Sequence, residues 1–460
     1  MMKNSIDFGN MEIPRLFRRL LIPTVLGMLF SAAFVITDGI FVGRGIGSDA
    51  LAAVNITAPL FLINTGVGLM FGVGASVVAS IHLSHGKVKT ARINVTQAVA
   101  VSSLILAAYS LAVCLFAPEV ARLLGCSQRL QPLVLEYSGA PLFPEYMSWF
   151  VPFLPFSALL SSGMFFIRLD GSPNYAMWCN AVPALINIVL DYVFIFLLDW
   201  GMFGAALATS LGYVVGAAMI LAYLSRRRNV IRFCRVKTSR KSLRLTRRNV
   251  GYMCRLGLST FLCEGAIAAM MFTGNYVFIR HLGEDGVAAF SIACYFFPII
   301  FMVYNAIGQS AQPILSYNFG AGRSDRVRSA FRLAMATAVA VGLFFFLLTA
   351  LCSPWIVGMF LDATYPAYGI AVSGLPLFAS GFVFFAFNIV SIGYFQSVEQ
   401  ARAAMTVTLL RGFLFLVVCF LALPPLFGIA GIWLAVPCSE VLAAVVVAAI
   451  FRRNRRAAVC

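Results

Sequence analysis

Residues Phe30–Ile56 read FSAAFVITDGIFVGRGIGSDALAAVNI, and this stretch decides the fold twice over. Its first half ends an apolar run in which Asp38 is the only charge between Leu20 and Gly43. A run of that length crosses the hydrocarbon of a bilayer, which takes about 20 apolar residues. A carboxylate at such depth is costly and faces a polar cavity or a partner rather than lipid. The second half of the stretch is repeated. An offset of 236 leads to Phe278–Ile292, FIRHLGEDGVAAFSI, with Arg44 on Arg280, Gly47 on Gly283, Asp49 on Asp285 and Ile56 on Ile292. The same offset holds to Gly86 and Gly322 and to Arg92 and Arg328, without a gap. The chain reads as a duplicated membrane protein with an acid buried in its first half.

Composition agrees. Of 460 residues, 61% are hydrophobic and 11% charged, whereas soluble domains carry about 25% charged residues. A water-soluble fold is excluded. The net charge of +17 does not point to nucleic acid, because the basic residues sit between apolar runs, as membrane proteins place them on the cytoplasmic side. Met1–Met11 is polar and the following run is too long for the apolar part of a cleaved signal, so no leader is expected. The 11 cysteines form no CxxC pair and lie mostly within apolar runs, as small packing residues do.

Twelve apolar spans follow from this reading: 17–42, 51–80, 93–117, 140–167, 175–198, 203–224, 251–279, 287–315, 333–358, 366–396, 403–426 and 428–451. Pro23, Pro59, Pro183, Pro298 and Pro313 fall inside spans, where membrane bundles tolerate kinks. Lys and Arg cluster at the N-terminus, after span 2, after span 6, after span 8 and at the C-terminus, while the alternate loops hold only Arg44, Arg122, Arg129 and Arg280. Both termini and the central run SRRRNVIRFCRVKTSRKSLRLTRRN (Ser225–Asn249) are therefore expected in the cytoplasm. The expected fold is an all-α polytopic membrane protein of twelve transmembrane helices, in two six-helix bundles related by a parallel repeat. The expected divisions are a first lobe over 1–224, a basic linker over 225–250 and a second lobe over 251–460. The linker is also expected to contact anionic lipid.

Candidate sites are the polar residues inside spans. Asp191, in NIVLDYVFIF, is the only charge between Asp170 and Asp199, and Asn187 lies one helical turn before it. Thr209 stands in span 6 among small residues, in GAALATSLG. Asn187 and Thr209 taken alone read as ordinary interhelical hydrogen-bonding groups. Two intramembrane acids in a half without an intramembrane Lys or Arg instead read as a proton or cation site. In the second half, Glu264 is alone in span 7, Arg411 (span 11) and Glu440 (span 12) fit a structural ion pair, and Gln309, Gln312, Gln396 and Tyr304 are candidates to line a substrate cavity. The glycines of GVGLMFGVGAS (Gly66–Ser76) lack the strand and acid of a nucleotide site and read as helix packing. His82 and His85, expected in a loop, have no ligand cluster around them, so no metal is expected. No nucleophile–base set appears, so no enzyme and no cofactor are expected.

With twelve spans in two bundles, Asp38 ahead of FVGRGIG, NFGAGRSDRVR after span 8, and Asn187, Asp191 and Thr209 in spans 5 and 6, the chain resembles the multidrug and toxic compound extrusion (MATE) transporters over its whole length. The resemblance implies a cation or proton site at Asp38, Asn187, Asp191 and Thr209, and a helix hinge at Pro23. One branch of that family also has an acid in span 7, where Glu264 stands, and another in span 10, where Gly374–Val398 has none. The implied activity is antiport by alternating access: H⁺ or Na⁺ enters and amphipathic, often cationic, organic compounds leave, through a monomer in the inner or plasma membrane. A lipid-linked oligosaccharide flippase of the same superfamily would need a strongly basic cavity, which four loop arginines and Arg411 do not supply. An ion channel or receptor would not call for acids confined to duplicated bundles.

Overall fold

The computed structural model describes residues 6–117, 119–120, 150–236 and 239–457, and every regular element among them is helical. The first half holds α1 (Ile13–Gly45), α2 (Ser48–Ser84), α3 (Val88–Leu115) and α4 (Leu154–Leu169). After these come α5 (Pro173–Asp191), continued by a π-helical turn over Tyr192–Leu197, and α6 (Gly201–Ser225). The second half holds α7 (Arg240–Gly320), α8 (Ser324–Gly358), α9 (Pro366–Ala379) and α10 (Phe382–Ser397). It closes with α11 (Ala401–Leu409), a π-helical turn over Leu410–Leu414, and α12 (Phe415–Ala457). Helices are what such a composition must form, because in hydrocarbon every backbone N–H and C=O has to be satisfied within its own segment.

Two helices are each two spans joined at a sharp break, and in the first Phe278 and Phe290 stack across that break at 4.4 Å. The 81-residue α7 breaks at Gly283 (φ 65°, ψ −155°) and α12 at Gly428 (φ 56°, ψ −135°), a left-handed backbone that residues with a β-carbon avoid. Counting each arm, and α9–α10 with its 44° bend as one broken span, gives twelve membrane-crossing segments among the described residues. The halves also repeat in conformation. Gly86 (φ 73°) and Gly322 (φ 69°), 236 residues apart, both turn the chain after the second span of their half. Further on, Ser172 (ψ 56°) before α5 matches Gln400 (ψ 57°) before α11 at the smaller offset of 228, so the second half has the shorter connection between these points.

The chain forms two compact units, Met1–Met11 with Arg18–Gly257 and Glu12–Phe17 with Leu258–Cys460. The first residues of α7 fall in the unit of α2 for a packing reason. α7 begins at Arg240, and a β-carbon on Gly74 would collide with the Met253 carbonyl, as one on Gly257 would with the Met70 carbonyl. The start of α7 thus crosses α2 backbone to backbone and belongs to the first unit. The basic run before it is strapped down as well. Arg92 Nε donates to the Val230 carbonyl at 2.7 Å, and Asp170 accepts from the Ile231 amide and the Tyr223 hydroxyl. Burial pushes the Asp170 carboxyl above the usual carboxylate range, against the pull of these donors. His82, expected in a loop, lies in the last turn of α2. Arg122, Arg129 and residues 140–149 of the fourth expected span lie outside the described residues.

The glycine-rich stretch sets the spacing inside the first unit. A β-carbon on Gly68 would stand 2.9 Å from Ala158 Cα, and one on Gly72 2.9 Å from Ser162 Cα. Two glycines one turn apart on α2 thus meet two small residues one turn apart on α4, the close approach that small residues permit in membranes. It brings Asn64 Nδ2 to 2.6 Å from Ser157 Oγ. Gly72→Val is expected to destabilise the protein by about 1–3 kcal/mol through overpacking. Gly251→Ala, where nothing lies within 4 Å of the new β-carbon, is expected to be neutral or slightly stabilising. Thermal unfolding in detergent checks both, and equal effects would remove the close approach as the cause.

Candidate functional site

The site is built on α1, α5 and α6. Near the start of α1, Pro23 has no N–H to give to the Arg19 carbonyl, so the helix loses a hydrogen bond there. Thr24 Oγ1 donates to the Leu20 carbonyl at 2.7 Å. A cavity of about 10 Å³ borders this point, lined by Pro23, Thr24, Gly27, Met164, Arg168 and Asn180. A weakened turn beside empty space is a place where a helix can bend.

Along α1, Asp38 is half-buried and faces α6. Thr209 Oγ1 donates to Asp38 Oδ1 at 3.3 Å, and Asn187 Nδ2 approaches Thr209 Oγ1 at 3.5 Å. Asn187 and Asp191, one turn apart on α5, are both 0% exposed. Asp38 and Asp191 lie within electrostatic reach of one another. The structure thus brings Asp38, Asn187, Asp191 and Thr209 into one cluster.

The cluster does not close on itself. Both carboxylate oxygens of Asp191 and the Asn187 carbonyl oxygen are buried without a hydrogen-bond donor of good geometry among the described residues. The ion pair between Arg411 and Glu440 lies elsewhere, and no arginine or lysine among the described residues is paired with either acid. Facing carboxylates with spare lone pairs accept a proton or a cation and repel an anion. No group of three or more metal-ligating side chains occurs among the described residues.

Two features of this site escaped the sequence reading. Tyr213, one turn beyond Thr209 on α6, stacks on Phe61 (centroids 6.1 Å apart, planes at 14°), sits 5.9 Å from Phe34 and lies within electrostatic reach of Asp38. Its four-residue spacing from Thr209 was the available signal. The second is the π-helical turn that starts directly after Asp191. Phe196 on that turn meets Phe41 of α1 edge to face at 5.5 Å, tying α1 to the end of α5. A single residue insertion in a helix ladder leaves no mark on composition or periodicity.

The candidates of the second unit are dispersed. Gln396 Nε2 donates to Ser259 Oγ (2.8 Å) and Thr260 Oγ1 (2.7 Å), one turn before Glu264 on α7. Tyr304 is fully buried with its ring edge-on to Phe385 at 5.3 Å and no partner for its hydroxyl. Gln312 is buried on the same arm of α7, and the buried Gln309 Oε1 has no donor. Glu264 stands outside the Arg411–Glu440 pair.

Comparison with known proteins gives a consistent picture. The MatE family model matches residues 23–193 and 263–421. The multidrug export protein MepA of Staphylococcus saprophyticus is 24% identical over 425 residues, which cover 92% of this chain and 90% of that protein. An FAD transporter of Shewanella oneidensis is 24% identical over 345 residues, 73% of this chain and 71% of its own length. A solved structure described as an outward-facing conformation of a multidrug resistance MATE family transporter of the MOP superfamily superposes with a TM-score of 0.84 at 22% identity, over 99% of both chains.

The open valences of Asp191 have a consequence for stability. A buried acceptor left without a donor costs about 1–3 kcal/mol, and an asparagine amide would supply donors to its oxygen-rich neighbours. Asp191→Asn is therefore expected to raise the melting temperature at neutral pH by roughly 2–4 °C. A fall in melting temperature would mean that the carboxylate is a structural ligand of the fold.

Proposed function

The chain belongs to the MatE family of multidrug and toxic compound extrusion transporters, and on that premise we propose that it exports amphipathic or cationic organic compounds in exchange for H⁺ or Na⁺. The observation that carries the ion half of this reading is the cluster of Asp38 and Asp191, in which both oxygens of Asp191 are buried without a donor of good geometry or a cation among the described residues. The substrate half rests on the family and on the export functions named for its relatives. The ion is cargo, and the mechanism needs no cofactor.

In this mechanism, two carboxylates facing one another in a low-dielectric site repel, and a proton or cation bound between them removes the repulsion. The relief can do work only if the ion binds two conformations of the protein with different affinities, since a ligand shifts an equilibrium by its differential affinity alone. About 1.4 kcal/mol of difference shifts the populations tenfold. Pro23, with its missing hydrogen bond and the small cavity beside it, is the proposed hinge by which α1 changes shape when Asp38 gains or loses its ion. Thr209 and Asn187 hold the pair in register. The cycle proceeds by alternating access, in a monomer of the inner or plasma membrane with both termini in the cytoplasm. The Lys/Arg asymmetry supports that orientation, and the basic strap over 225–250 is proposed to face anionic lipid.

Dye efflux from cells at matched expression, with and without an ion gradient, tests the proposal. Asp38→Asn and Asp191→Asn are each expected to abolish gradient-driven efflux while substrate binding persists. The double variant should be no worse than either single one, because residues acting as a unit are non-additive. Near-normal, gradient-dependent efflux by Asp38→Asn would sink the mechanism. Glu264→Gln is expected to keep most of the ion-driven efflux, and a loss as complete as that of Asp38→Asn would move the coupling site.

A further inference from the structure

Each unit carries a buried charge beside a π-helical turn. In the first, Asp191 directly precedes Tyr192–Leu197; in the second, Arg411 lies within Leu410–Leu414. Such turns re-aim a side chain relative to a regular helix and occur often at functional sites. Arg411 and Glu440 are each 4% exposed. Arg411 Nη1 donates to Glu440 Oε1 at 2.9 Å, and Asn388 Nδ2 donates to Glu440 Oε2 at 2.7 Å and to its carbonyl at 2.9 Å. The guanidinium lies over the Phe385 ring, 4.9 Å from its centroid, and its Nε has no acceptor. Asn388 Oδ1 and Ser391 Oγ, one turn apart on α10, are buried without partners. Among titratable neighbours on α7, Tyr304 feels Glu440, and Cys263 feels Arg411, Glu440 and Glu264.

The two clusters share their ingredients: a buried carboxylate, an asparagine amide and spare oxygens. They differ in one respect. Among the described residues no cation is paired with the first, and the second holds a guanidinium bonded to its acid. A guanidinium that were only packing filler would not need oxygens left open around its carboxylate partner. We infer that Glu440 and Asn388 form a cation site whose resident cation is Arg411 of the same chain. The second unit therefore exchanges no ion at Glu440, and removing the guanidinium opens a site for a small monovalent cation or a proton. This rests on the ion-driven reading of Asp38 and Asp191, but its test does not measure transport, so the two fail separately.

The test is thermal unfolding of the purified full chain in a parent carrying Asp38→Asn and Asp191→Asn, which removes the first unit's ion site. Adding Arg411→Ala should create a saturable stabilisation by Na⁺ or methylguanidinium, or one that grows as pH falls from about 8 to about 6. Its expected size is roughly 2–4 °C. The parent should lack that response, and adding Glu440→Gln to the Arg411→Ala chain should erase it. A salt bridge that only supports packing would lose stability in Arg411→Ala without gaining saturable rescue by Na⁺ or methylguanidinium. Absence of any cation or proton response in Arg411→Ala overturns the inference. If that variant does not fold, the parent itself decides: no saturable response to Na⁺ supports the tethered cation, and a saturable Na⁺ response that Glu440→Gln erases means that Glu440 exchanges an ion with Arg411 in place.

Discussion

Hydrocarbon offers no hydrogen bonds, so a chain that lives in it must satisfy its polar groups from within. Most features of this protein follow from that demand. The backbone meets it by being helical, and buried serines and threonines meet it by bonding back to carbonyls on their own helices, as Thr24 does to Leu20 and Ser310 to Ala306. Side chains between helices meet it in pairs, such as Asn64 with Ser157 and Gln396 with Ser259 and Thr260. Against this background the oxygens of Asp191 and Asn187, buried and without donors, stand out. Natural folds leave few such groups, and each calls for an explanation. Under the proposed function, the missing partner is the coupling ion.

Duplication supplied two scaffolds and divergence gave them different charges. The αL turns at Gly86 and Gly322 match, as do the entries to α5 and α11. Yet the first unit sets two acids, Asp38 and Asp191, within reach of each other, whereas the second pairs an acid with a base. Like charges held together respond to an ion in solution, whereas opposite charges satisfy each other. Under the proposed function, a common architecture with unlike charge content would let one half respond to an ion gradient while the other keeps its internal ion pair.

The sequence reading was strong where a signal is periodic or compositional. Twelve apolar runs, the repeat at offset 236 and the buried acids were visible because transfer free energy acts on every residue of a span. It was weak where one residue changes geometry. The π turns beside Asp191 and at Arg411 insert a residue without altering hydropathy, and Tyr213 looked like any aromatic of a membrane helix. That the start of α7 belongs with the first unit depends on its packing against α2 at Gly74 and Gly257, a contact between positions far apart in the chain.

By itself the sequence determined that this chain crosses a membrane many times, that its halves are copies, and that its first half buries Asp38 and Asp191. Those are properties of segments, and local hydrophobicity and charge suffice for them. Only the tertiary structure decided that α1, α5 and α6 bring the two acids face to face with Thr209 and Asn187, while Glu440 is met by Arg411 and Asn388. Whether a buried charge has a partner depends on which faces of distant helices meet. That is settled by glycine-spaced packing and by single-residue insertions, to which the pattern along a chain is blind.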